Sequence, residues 1–241
     1  MTRSGPRPDE APRKRVDART ERWREHRRKV RAEFVDAAFR ALDKIGPEVS
    51  MGDIAKEAGA AKPKLYRHFE DKADLYNAIV DRLRDLLWEQ IVASFDLTSD
   101  SARDLVRRGA AEYVLVVSQH PNVFRFILHS HFTQRSDDSG RALQSARQSA
   151  KRAAELFAGA SGDESVPIAS AELVIYSIFG AVASATDWWL GANRLETPTM
   201  PIEQFVAYLA EIISALVAAN ARVIGILIDA DRPLHLAVSR R

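Results

Sequence analysis

The chain has no cysteine. Disulfides, thiolate nucleophiles, Cys-ligated zinc and Cys-held iron–sulfur clusters are therefore all excluded. Its longest nearly uncharged stretch, Leu173–Thr186, has 14 residues, short of the roughly 18 that suggest a membrane span. The first residues are charged and have no apolar core of the kind a signal peptide needs, so a cytoplasmic protein is expected. Period-2 alternation is missing, and with it any expectation of a sheet. No Gly-rich phosphate loop, HExxH or nucleophile elbow occurs. What remains is an ordinary soluble mixture, 46% hydrophobic and 28% charged over 241 residues, long enough to bury a sizeable core.

The charge is unevenly placed. The overall balance is +2, yet residues 1–31 hold 12 Lys/Arg against 5 Asp/Glu, and the other 210 carry a net −5. A basic end on a mildly acidic body points to a polyanion as partner. Residues 1–20 contain Pro6, Pro8 and Pro12 without apolar periodicity and read as a flexible basic arm.

From Glu21 the spacing is helical throughout. Phe34, Ala37, Ala38, Ala41, Leu42 and Ile45 recur at three and four residues until Gly46-Pro47 stops the run. Ser50 is a good N-cap for a short helix, Met51 to Ala58, closed by Gly59. Pro63 suits the first turn of a second short helix, Lys62 to Phe69. Asp71 caps a longer one to about Phe95. Further helices are expected near 101–119, 122–133, 139–159, 167–191 and 201–228. The fold class is all-α, about nine helices: a three-helix helix-turn-helix module at 21–80 and a larger helical bundle at 81–241.

The segment Phe39–Ala78 carries the specific signal. Two short helices joined at Gly59-Ala60-Ala61 make a helix-turn-helix, whose second helix can enter a DNA major groove. Ile54, Ala55 and Ala58 let the first helix pack closely, while Leu65 and Phe69 bury the second. Lys62, Lys64, Tyr66, Arg67 and His68 remain as a polar face suited to phosphates and base edges. Ser50 and Lys72 flank it and complete the candidate DNA-contact set.

These residues resemble the TetR family of bacterial repressors: Phe39, Gly46, Ser50, Ile54-Ala55, Ala58-Gly59, Leu65-Tyr66-Arg67-His68-Phe69, Lys72, Leu75 and Ala78. The resemblance covers about the first third of the chain. It implies a homodimer that binds a palindromic operator in double-stranded DNA and releases it when a small molecule enters the C-terminal bundle. It also implies backbone contacts from Tyr66 and His68, a phosphate at Lys72, and Lys62 and Lys64 facing the groove. Two departures stand out: Ala61 replaces the usual Ser/Thr cap of the recognition helix, and Pro47 replaces an aromatic.

In the bundle, helices 167–191 and 201–228 lack a clean polar side, and an all-round apolar helix must be covered all round. Pairing with symmetry mates in a four-helix interface would cover them. Tyr113, Phe124, Phe126, Phe132, Phe157, Tyr176, Phe179 and Trp188 are candidate pocket aromatics. Little charge is expected near them, so an apolar small-molecule ligand fits. Pro121-Asn122-Val123-Phe124-Arg125-Phe126 and Asp187-Trp188-Trp189-Leu190 resemble lipid-responsive members from actinobacteria, which implies a fatty-acid or acyl ligand. His129 and His131 point about 200° apart on a helix and cannot share a metal ion. Glu172 and Asp187 lie about 22 Å apart and form no catalytic pair. The expectation is a ligand-responsive regulator that is no enzyme and needs no cofactor or metal. A dimeric lipid-binding or adaptor protein with a vestigial helix-turn-helix is the reading of a different class, and the basic face tells against it.

Overall fold

A computed structural model describes residues 18–133, 138–161, 167–192 and 200–240. The arm expected at 1–20 lies almost wholly outside the described residues.

Ten helices and two short strands follow in order among the described residues. Helix α1 (Ala18–Ile45) ends where Gly46 adopts φ 107°, a conformation that side chains with a Cβ disfavour. Helix α2 (Met51–Glu57) starts from a reciprocal capping box: the Ser50 hydroxyl accepts from the Asp53 amide, and the Asp53 carboxylate accepts from the Ser50 amide. Gly59, at φ 64°, turns the chain into α3 (Lys62–Tyr66). This helix is shorter than the sequence implies. Arg67, His68 and Phe69 continue it as a tight turn, bonded back to Lys64 and Leu65. The Asp71 carboxylate accepts from the Asp74 amide and caps α4 (Lys72–Ala93).

Helices α5 (Ala102–Gln119), α6 (Pro121–Thr133), α7 (Asp138–Ser161), α8 (Ile168–Ala192) and α9 (Ile202–Val223) form the bundle. One apolar core runs without a break from Phe34, Phe39 and Leu42 of α1, through Leu75, Ile79 and Leu83 of α4, to Val114, Val123, Trp189 and Phe205 of the bundle. Helix α4 thus belongs to both halves.

The end of the chain departs from expectation. The last long helix stops at Val223 rather than continuing to 228, because Gly225 takes φ 73° and turns the chain. Beyond it, β1 (Ile226–Ile228) pairs antiparallel with β2 (Val238–Arg240), with α10 (Leu234–Ala237) between them. A small sheet therefore exists where none was expected. Three-residue strands are too short to show alternation. This segment holds the start of α5: Ala102 and Arg103 amides donate to the Arg232 and Ala230 carbonyls, and Arg103 meets Asp231 at 2.8 Å.

Candidate DNA-binding interface

Leu65 is fully buried and Phe69, just beyond α3, nearly so, which turns the inner face of α3 into the core formed with α1, α2 and α4. The opposite face is open. Lys62, Lys64, Tyr66 and Arg67 are exposed, and Lys72 is exposed in the first turn of α4. The Tyr66 ring is 45% exposed, with the Lys62 ammonium 5.9 Å from its centroid. These side chains form one cationic surface with a single aromatic hydroxyl. The N-cap of α3 is Ala61, which supplies no side-chain hydrogen bond.

Two of the expected contact residues sit differently. The Ser50 hydroxyl is engaged in the α2 capping box, accepting from the Asp53 amide and donating to its carboxylate. His68 is half-buried, its ring 5.8 Å from that of Phe34, with Nδ1 enclosed and without a protein partner. Enclosure lowers the His68 pKa, and the positive charges of Arg27, Lys64, Arg31 and His26 lower it further. Both causes favour the neutral imidazole.

Sequence reasoning missed Arg31, the residue that sets the position of this surface. Its guanidinium forks onto the Asp74 carboxylate at 2.8 and 2.9 Å, donates to the His68 carbonyl, and lies 4.1 Å over the Phe69 ring. One α1 side chain thereby ties the end of α3 to the first turn of α4. Asp74 also accepts from the Glu70 amide at 3.1 Å. Arg31 lies three residues before Phe34 on the same side of α1, a placement it shares with Arg27 and Arg24, so spacing alone does not single it out. The partner at 74 is a long-range contact that periodicity does not show.

The module is also joined to α6. The Tyr76 hydroxyl donates to the Ile127 carbonyl at 3.2 Å, and its ring lies 5.6 Å from Phe126. His120, between α5 and α6, meets Asp43 of α1 at 3.0 Å and Phe39 edge-on at 5.6 Å. Movement of α6 therefore bears on α1 and α4 together.

Among the described residues the candidate pocket aromatics have different nearest neighbours. Tyr113 and Phe124 meet edge-on at 5.8 Å, and the Tyr113 hydroxyl shares a 2.8 Å hydrogen bond with fully buried Thr186. Burial pushes the Tyr113 phenol well above its ordinary value. Phe126 turns toward Tyr76, Phe157 toward Phe95, and Tyr176 toward Arg147. Phe179 and Trp188 are exposed on α8, Trp188 by 56%. The side chains of Phe132, His129 and His131 lie outside the described residues. A cleft of about 190 Å³ opens elsewhere, between α4 and α7, lined by Arg84, Asp85, Trp88, Gln148, Ser149 and Arg152. Among the described residues no cluster of three or more His, Asp or Glu could hold a metal.

An exposed basic helix-turn-helix face, joined through a shared core to a helical bundle, defines a helix-turn-helix transcriptional regulator. Residues 34–79 match the family model described as "Bacterial regulatory proteins, tetR family". The HTH-type transcriptional regulator Rv0472c of Mycobacterium tuberculosis is 29% identical over 198 residues, 80% of each chain. A tetR-family transcriptional regulator from Streptomyces coelicolor shares the fold with a TM-score of 0.62, at 24% identity over 83% of each chain. The transcriptional regulator FadR from Bacillus subtilis, solved in complex with stearoyl-CoA, shares it with a TM-score of 0.53, at 16% identity over 78% of this chain and 97% of its own. Residues 34–79 thus carry a TetR-type DNA-binding domain, and these matches together support a TetR-family DNA-binding transcriptional regulator.

Proposed function

We propose that the chain is a homodimeric repressor acting in the cytoplasm, which holds a palindromic operator and releases it when an apolar, acyl-type molecule enters the bundle. The observation that carries the DNA part is the exposed cationic face of α3. In this reading Lys62 and Lys64 enter the groove, and Tyr66, Arg67, Lys72 and the edge of His68 meet the backbone, whereas Ser50 acts through its cap. Residues 21–80 form the DNA-binding unit and 81–241 the ligand and dimer unit, with α4 shared between them.

The homodimer is supported by α8 and α9. On α8, Leu173, Ser177, Gly180, Ser184 and Trp188 are exposed at helical spacing; on α9, Ala207, Tyr208, Ala215 and Ala218 are. An added Cβ at Gly180 would meet nothing within 4 Å. Gly180 on the open face of α8 costs helix stability, and small residues on both helices allow another helix to approach closely. By length and composition both helices could also cross a membrane. Glu172 and Asp187 on α8, and Glu203, Glu211 and Arg222 on α9, suit a protein interface with a polar rim better than lipid.

The acyl-type ligand is supported by the apolar surroundings of Tyr113, Phe124 and Thr186, which offer one hydroxyl pair as polar anchor. The same fold holds stearoyl-CoA in the Bacillus protein. The test is operator release by fluorescence polarisation, using a duplex selected from a random library and a chain-length series of fatty acids and acyl-CoAs. Release that rises with chain length, and is blunted by Phe124→Trp without loss of DNA affinity, is expected. A flat response at saturating ligand overturns the ligand assignment.

A further inference from the structure

Helix α1 begins well before it has anything to pack on. Every residue from Glu21 to Lys29 is exposed, and Val30 is the first to be partly covered. Helix α1 starts at Ala18, so its first twelve residues extend roughly 18 Å past the core. A helix without a buried face gains nothing from packing, which leaves its surface chemistry to explain it.

That chemistry is sorted by side. Viewed down α1 with Phe34 as reference, Trp23 and Arg27 lie within about 20° and Arg24 within about 80°, at about 100° per residue. Glu21 and Glu25 fall at about 140° and 180°, on the far side. Phe34 marks the side that faces the turn closing α3, since its ring meets those of His68 and Phe69. The charges of Arg27 and His26 reach His68 together with those of Lys64 and Arg31. Trp23 is 61% exposed, with the Arg27 guanidinium 5.7 Å from its ring. The Arg24–Glu21 pair, 3.9 Å apart with both side chains more than half exposed, is a weak competitor for either arginine.

We infer that the DNA interface continues from α3 onto the exposed start of α1, where Arg27 and Arg24 take phosphates of the duplex flanking the sequence that α3 reads. Trp23 supports Arg27 and stiffens the surface. The inference rests on the DNA-binding reading above. It is favoured by charge complementarity and by continuity of the α1 surface with the α3 face. Such contacts add affinity without adding sequence preference. A reach of about 18 Å spans roughly five base pairs at 3.4 Å each.

The test uses the full chain and a duplex selected by the wild-type protein from a random library. The duplex is made in two lengths, trimmed to the enriched motif and carrying six added base pairs on each side. The wild type is expected to bind the longer duplex several-fold more tightly. Arg27→Ala and Arg24→Ala should lose that preference and flatten the slope of log affinity against log salt by about 0.9 for each lost phosphate contact. Lys29→Ala removes the same charge about 200° away from Arg27 and should change neither, and Arg27→Lys should restore the slope. Equal wild-type affinity for both lengths, or equal slopes for Arg27→Ala and Lys29→Ala, overturns the inference and leaves the α3 assignment intact. If no duplex is enriched, the DNA-binding reading fails and this one with it.

Discussion

Replacing Arg31 tests whether the recognition helix is positioned by α1. Arg31→Met keeps the apolar stem and its contact with Phe69 but removes three interactions: the fork onto Asp74 at 2.8 and 2.9 Å, the bond to the His68 carbonyl, and the cation over the Phe69 ring at 4.1 Å. A fully exposed ion pair would be worth about 0.2–1 kcal/mol. Here the two side chains retain only 31% and 26% of their exposure, and the geometry is bidentate, so a coupling of about 1–2 kcal/mol is expected. The cation–ring contact adds about 0.5–1 kcal/mol, for a total near 1.5–3 kcal/mol. The assay is urea unfolding of wild type, Arg31→Met, Asp74→Ala and the double variant. The cycle cancels the separate loss of the Glu70 amide's partner when Asp74 is removed. A coupling of about 0.3 kcal/mol or less would refute the reasoning, because distant, independent sites already scatter by that amount.

Three further outcomes follow from the same geometry. Leu173→Asp, at a site 64% exposed on α8, should convert a dimer into folded monomers by light scattering, with an unfolding midpoint that no longer rises with protein concentration; an unchanged mass would place the interface elsewhere. His68 has a lowered pKa, caused first by enclosure and then by Arg27, Lys64, Arg31 and His26; its contribution is complete above the unfolded value near 6.5 and is lost as pH falls below it. Stability should therefore decline from pH 6.5 toward 5, and His68→Asn should flatten that part of the profile relative to wild type. Tyr76→Phe, which deletes the bond to the Ile127 carbonyl, should weaken ligand-driven release more than it weakens operator binding, as read by polarisation with and without acyl-CoA.

The parts of the fold written in local chemistry were legible. Ser50, Gly59, Pro63 and Asp71 act within four residues of themselves, and each starts or stops the helix that its type favours. Leu65 and Phe69, four apart, gave the buried side of α3 and so its exposed side. Gly225 carries the same kind of signal, but the apolar residues on both sides of it continue a helical spacing and mask it. Arg31 was invisible for another reason: its partners lie 37 and 43 residues away, and nothing local marks it among the other arginines of α1. The pocket was least legible. Aromatic residues on helices register as core, and periodicity does not say whether Trp188 and Phe179 face inward or outward.

The measurement closest to the central claim is a mobility-shift titration of a selected palindromic duplex with wild type and with Lys64→Ala/Tyr66→Ala/Lys72→Ala. These three side chains are exposed, so the variant should melt with the wild type. Half-sites centred about one helical turn apart, some 34–36 Å, and a loss of operator affinity of at least about 100-fold, near 2.7 kcal/mol, are predicted. Undiminished affinity in a variant that is folded and dimeric would contradict the account.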